Sequence, residues 1–217
     1  MNWLHEHHLP VTRTARYYVL GTLGPATEEV WLALHGYGQR AAYFARHFRT
    51  LVRPGRAFVV PEALSRFYLP GHERVGASWM TKADRLHEIG DYVTYLETVM
   101  DRVHQQGVPD TVARCVLGFS QGAATASRWA TMTRYEVQRL VAWGGALAHD
   151  LDPALVQQRL RPLPLTLVLG TEDAYLTPER RAAVQTWLDM HELVPTIVRY
   201  EGGHRLQAAT LKQVVDG

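Results

Sequence analysis

Residues 115–126 read Cys-Val-Leu-Gly-Phe-Ser-Gln-Gly-Ala-Ala-Thr-Ala. The first five are apolar or glycine, so the run has no polar face and reads as a strand covered on both sides. Helix formers follow from Ala123. Between them, Gly118-Phe119-Ser120-Gln121-Gly122 spells G-x-S-x-G. A serine between a buried strand and a helix sits on a tight, strained turn. Glycines two residues to either side leave room for the neighbouring strand and helix. The turn lifts the Ser120 hydroxyl above the sheet, to a helix N-terminus where N–H groups and the dipole favour negative charge.

The pattern continues outward in both directions. Short apolar runs at Arg16–Leu20, Val30–Leu34, Ala57–Val60, Leu140–Trp143, Leu165–Leu169 and Thr196–Tyr200 alternate with helix-period segments. That alternation predicts an α/β fold with a mainly parallel central sheet of about seven strands and helices on both faces. Arg16–Leu20 suits an edge strand, antiparallel to the rest. The clearest helix spans Lys82–His104, with Leu86, Ile89, Val93, Leu96, Met100 and Val103 on one stripe and Thr81 and Asp84 as a capping box. Further helices are expected at 41–52, 121–133, 153–160, 178–190 and 206–215.

Three loops at the ends of these strands carry candidate chemistry. His35-Gly36-Tyr37-Gly38-Gln39 follows Val30–Leu34. Attack on a carbonyl needs donors aimed at the developing oxyanion. The N–H of Gln121, after the serine, is one candidate, and the N–H of Tyr37 between two glycines is the other. His35 is expected to brace that loop. Gly170-Thr171-Glu172-Asp173 follows Leu165–Leu169 and offers Asp173 to orient an imidazole, with Glu172 a near rival and Asp150 and Asp152 weaker ones. Gly202-Gly203-His204 follows Thr196–Tyr200 and supplies a general base. Trp79 and Met80 after Pro61, and Tyr175 and Leu176 after Asp173, are candidates for the walls of a substrate pocket, with core packing the competing reading.

With these motifs the chain resembles an α/β-hydrolase, and within that fold the phospholipase/carboxylesterase group that includes acyl-protein thioesterases. LHGYGQ (34–39), GFSQG (118–122), GTEDAYLTP (170–178) and GGH (202–204) carry the resemblance, which covers the chain from about Tyr17 onward. It implies a Ser120–His204–Asp173 triad, an oxyanion hole from the N–H groups of Tyr37 and Gln121, and no cofactor or metal. The expected activity is that of a serine carboxylesterase acting on short- to medium-chain esters through an acyl-enzyme. The alternatives are a thioesterase or lysophospholipase on the same triad and, from a different class, a non-catalytic binding protein of this fold. Where the group commonly has leucine then Gly-Asp in the oxyanion loop, this chain has Tyr37-Gly38-Gln39. Where the group commonly has Trp-Phe-Asp, it has Trp79-Met80-Thr81. Both departures bear on acyl specificity. The stretch between Gly144 and Leu163 is too short for a large lid domain.

Composition narrows the rest. The 217 residues are 47% hydrophobic and 20% charged, the profile of one globular domain rather than a disordered chain; residues 1–14 read as a flexible N-terminal segment. A net charge of +2 without a basic run gives no footprint for nucleic acid. The partner is therefore expected to be a small-molecule ester or thioester. A homodimer is compatible with the sequence, although no feature marks a dimer face. The single cysteine, Cys115, forms no intrachain disulfide and reads as a small buried apolar residue. No transmembrane segment or signal peptide is expected, and the default location is cytoplasmic. His5, His7 and His8 cluster near the N-terminus, where they can take a metal incidentally. No His-Glu pair completes H-E-x-x-H.

Overall fold

A computed structural model describes residues 3–217. Seven strands form one sheet: β1 (Tyr17–Leu20), β2 (Glu29–Leu34), β3 (Arg56–Pro61), β6 (Ala113–Phe119), β7 (Arg139–Trp143), β8 (Leu165–Gly170) and β9 (Thr196–Tyr200), in the spatial order β1-β3-β2-β6-β7-β8-β9. All pairings are parallel except β1 with β3, so the first strand is the antiparallel edge that the sequence suggested.

Side chains alternate across this sheet and make two cores. Val30, Leu32 and Leu34 face one side with Val116, Leu140 and Leu165; they pack on helices α2 (Arg85–His104) and α3 (Gln121–Met132). Trp31 and Ala33 face the other side with Leu117, Val141 and Trp143. They pack on α1 (Ala41–Phe44), the 3-10 turn Ala45–Leu51 and helix α6 (Ala208–Asp216). Cys115 is buried in this second core beside Glu29, and burial pushes its thiol up to about 12, so it packs and does not react. Two further helices complete the chain: α4 (Pro153–Leu155), extended by a π-helical turn over Val156–Leu160, and α5 (Pro178–Met190).

Three local expectations change. The segment from Pro61 to about Thr81, which the sequence reads as one long loop, instead carries β4 (Ser65–Tyr68) and β5 (Val75–Ser78), an antiparallel hairpin off the main sheet. The helix expected from residue 41 tightens to 3-10 geometry after one turn. Helix α2 starts at Arg85, not Lys82: Asp84 sits at its N-cap with φ 49° and caps no amide, while Glu88 reaches back to the Thr81 N–H. Packing decides here. A cap is worth about 1 kcal/mol, whereas burying one side chain such as Leu96 or Met100 contributes about 1.5–3 kcal/mol.

After the edge strand β1, the chain enters the sheet at β2 and steps outward to β3, then runs from β6 to β9 in the opposite sense. The reversal lies between β2 and β6, which pair through Leu34 and Gly118. Crevices above the carboxyl ends of strands at such a reversal are where open α/β sheets place their sites. Here those ends lead into His35–Gln39 and Ser120.

Candidate active site

Ser120 joins β6 to α3 with φ 54° and ψ −117°, a conformation that a non-glycine residue holds only under constraint. The constraint is visible. The Ser120 N–H donates to the Trp143 carbonyl at 2.8 Å, and its carbonyl accepts from Ala123 N–H at 3.0 Å. A Cβ at Gly118 would lie 2.1 Å from the Gly122 carbonyl oxygen, and one at Gly122 would lie 2.2 Å from that of Leu34. A Cβ at Gly145 would meet the Ser120 carbonyl at 2.3 Å, a third close approach that G-x-S-x-G does not record.

His204 stands over this turn. Its Nε2 is 2.9 Å from the Ser120 hydroxyl and its Nδ1 is 2.7 Å from Asp173 Oδ2. Asp173 has no exposed side-chain surface, and its second oxygen accepts the Tyr175 N–H at 2.9 Å, which fixes the carboxylate plane. The imidazole lies between the rings of Phe119 and Tyr175, at centroid distances of 4.9 and 4.6 Å. The rival acids are elsewhere. Asp150 bonds Arg128 and Arg85, Asp152 caps α4, and Glu172 is exposed.

The loop bearing His204 is held by two residues that sequence reasoning missed. The Tyr200 hydroxyl is 2.7 Å from the Gly203 carbonyl and 2.6 Å from that of Arg205, and the Trp143 indole N–H donates to the Arg205 carbonyl at 3.0 Å. Only the aromatic end of each strand hinted at them.

The loop after β2 leaves one amide free. Gly36 N–H donates to Gln39 Oε1 at 2.8 Å and Gly38 N–H to the Ala77 carbonyl at 2.9 Å. The Tyr37 N–H between them, and the Gln121 N–H at the start of α3, have no protein acceptor among the described residues. Beneath the loop His35 is fully buried. Its Nδ1–H donates to the Gly36 carbonyl at 2.8 Å and its Nε2 accepts the Ala63 N–H at 3.0 Å, which requires the neutral ring. Burial pushes its pKa down to about 4.

The proposed pocket residues separate. Trp79 is core: its indole is buried and donates to the His35 carbonyl at 2.8 Å, so no ring face is left for a wall. The Gln121 side chain, unremarked in the sequence, accepts the Trp79 N–H at 3.1 Å and donates to the Met80 carbonyl at 2.8 Å, pinning that segment to the serine turn. Met80 is half-buried there. Tyr175 is 60% exposed against His204, while Leu176 lines a separate depression of about 130 Å³ with Leu169, Gly170, Thr171, Arg181 and Arg199. Tyr37 is 59% exposed, and its ring lies tilted by 30° against Phe67 of the hairpin, with centroids 5.0 Å apart.

Among the described residues, no helix is long and apolar enough to cross a membrane. No curated protein matches the chain significantly in sequence. Solved structures match in fold. Acyl-protein thioesterase 2 of Zea mays superposes with a TM-score of 0.70 at 18% identity, covering 94% of this chain and 97% of its own. A carboxylesterase of Mesorhizobium loti gives 0.70 at 20% identity, with 94% and 95% covered. A phospholipase/carboxylesterase of Dyadobacter fermentans gives 0.64 at 18% identity, with 95% and 97% covered. These neighbours bear out the expected fold. A family model described as serine hydrolase (FSH1) matches residues 27–212, so the chain belongs to that family and is a serine hydrolase.

Proposed function

We propose that the protein hydrolyses carboxylic esters of short to medium acyl chains through an acyl-enzyme on Ser120. The observation that carries this reading is the unbroken hydrogen-bonded chain from the Ser120 hydroxyl through His204 to the buried Asp173 carboxylate. His204 takes the hydroxyl proton as Ser120 attacks the carbonyl carbon. Asp173 holds the ring in the Nδ1–H tautomer and stabilises the imidazolium that forms. The free N–H groups of Tyr37 and Gln121 receive the oxyanion. The imidazolium then protonates the departing alcohol, and a water activated by neutral His204 releases the acid. A thioester would follow the same steps with a thiol leaving.

The test is hydrolysis of p-nitrophenyl esters from C2 to C12 by the wild type and Ser120→Ala. Turnover is expected on the shorter esters and a loss of about 10⁴-fold or more in the variant. Undiminished turnover by Ser120→Ala would remove that serine from the mechanism. Labelling of Ser120 by a fluorophosphonate without turnover of any ester would move the assignment to thioesters or a more specialised leaving group.

A further inference from the structure

Away from the serine turn, two segments distant in sequence bring metal-ligating groups together. His8 Nε2 lies 3.1 Å from Asp84 Oδ1 and 3.1 Å from Glu6 Oε1, and His87 Nδ1 lies 2.6 Å from the same Asp84 oxygen. The donor atoms of His8, Asp84 and His87 all fall within 4.8 Å of one another. We propose that His8, Asp84 and His87 form a three-donor surface site for a divalent cation of the zinc type, which clips the N-terminal segment onto the start of α2.

The spacing suits such an ion. Zinc bonds of about 2.0–2.2 Å put neighbouring donors of a tetrahedron about 3.3–3.5 Å apart, so the observed separations need to widen by only a few tenths of an ångström to about 0.8 Å. Two imidazoles with one carboxylate favour zinc, copper or nickel over magnesium or calcium, which prefer all-oxygen shells. The local chemistry supports occupancy by a cation. Asp84 holds the N-cap position of α2, yet its carboxylate caps no helix amide and turns to the two histidines instead. Their rings stack at 4.1 Å. The rings are 25° from parallel, and binding must rotate them until both lone pairs converge. All three residues are exposed, so that rotation disturbs no packing.

The arrangement differs from the one sequence proximity suggests. His5, His7 and His8 are neighbours in the chain, but only His8 meets Asp84 and His87. Zinc chloride is therefore titrated into the full chain by equilibrium dialysis, for the wild type, His87→Ala, Asp84→Asn and a His5→Ala/His7→Ala double variant. One zinc per chain is expected for the wild type and for the double variant. Loss of a direct ligand should weaken binding by roughly tenfold or more in His87→Ala and Asp84→Asn, since even outer-shell changes cost that much. Binding that survives in those two variants but is lost from the double variant would overturn the site and assign the metal to the N-terminal histidines alone. Absence of zinc from the wild type would overturn it outright. A second readout uses the unaltered chain: zinc should slow tryptic cleavage after Arg13, and an unchanged cleavage rate would refute the clip.

Discussion

Acidification should destabilise this fold through one residue, His35, before it exhausts the carboxylates. In the native state Nε2 of His35 accepts the Ala63 N–H and Nδ1 donates to Gly36, so a second proton has nowhere to go without breaking the bond to Ala63. Burial lowers its pKa from 6.5 to about 4. The sign follows from linkage. Between these values the unfolded chain binds a proton that the folded chain refuses, so stability is fully present above pH 6.5 and falls as the pH drops toward 4. The slope approaches 1.36 kcal/mol per pH unit, and the 2.5-unit window gives a loss of about 3 kcal/mol, a large fraction of the 5–15 kcal/mol typical of a domain. Urea denaturation at pH 7.5, 6.5, 5.5 and 4.5, in the wild type and His35→Gln, isolates the contribution of this histidine. The glutamine carbonyl can still accept from Ala63 but does not titrate, so the variant should be weaker at pH 7.5 and lose about 3 kcal/mol less on acidification. Equal acid slopes in the two proteins would refute the assignment. The consequence would reach the site as well, because His35 supports Gly36, next to the Tyr37 amide.

Three further outcomes follow from single contacts. Tyr200→Phe removes the hydroxyl that holds the His204 loop and should lower kcat by about tenfold or more with little change in KM, since small misplacement of a reacting group costs up to about 10²-fold; a KM effect alone, in ester turnover, would deny it a positioning role. Gln121→Ala keeps the free backbone amide but strips partners from Trp79 N–H and the Met80 carbonyl, and should lower stability in urea by about 1–3 kcal/mol; an unchanged midpoint would show that this side chain pins nothing. Gly122→Ala sets a methyl 2.2 Å from the Leu34 carbonyl oxygen and should cost at least about 3 kcal/mol or prevent folding; wild-type stability would mean that α3 and β2 are not so closely packed.

The interior strands of the main sheet are legible because burial on both faces writes itself into sequence as an apolar run, whereas the edge strands β1 and β9 are only partly buried. Thr196–Tyr200 was found to the residue, and Leu165–Gly170 missed by one. The β4–β5 hairpin was not legible. Its strands are four residues each, and what holds the pair in place is Gly38 N–H bonding Ala77 and Ala77 N–H bonding Gln39, across nearly forty residues of chain. The residues at the carboxyl ends of β2, β6, β8 and β9 stood out because strand-loop junctions with glycines are local patterns. Those that position them did not: Ala63 is 28 residues from His35, and Tyr200 is 57 from Trp143. Periodicity records which face a side chain uses, and says nothing of the one polar partner waiting there.

That division has a chemical reason. Stabilising an oxyanion needs donors fixed before the charge appears, because reorganising them during reaction would give back the gain. The Tyr37 amide lies between Gly36 and Gly38, whose own amides are committed to Gln39 and Ala77, and it stands above a histidine that buries both ring nitrogens in backbone bonds. The Gln121 amide starts a helix whose first side chain ties down Trp79 and Met80, and Trp79 in turn donates to the His35 carbonyl. The two free amides thus belong to one buried polar network linking β2, β5 and α3. A network of this kind holds its geometry only if nearly every member is satisfied. Weakening either His35 or Gln121 should then disturb both amides at once, and the double variant should lose less activity than the product of the two single losses. Multiplicative losses in ester turnover would mean that the two donors are held independently.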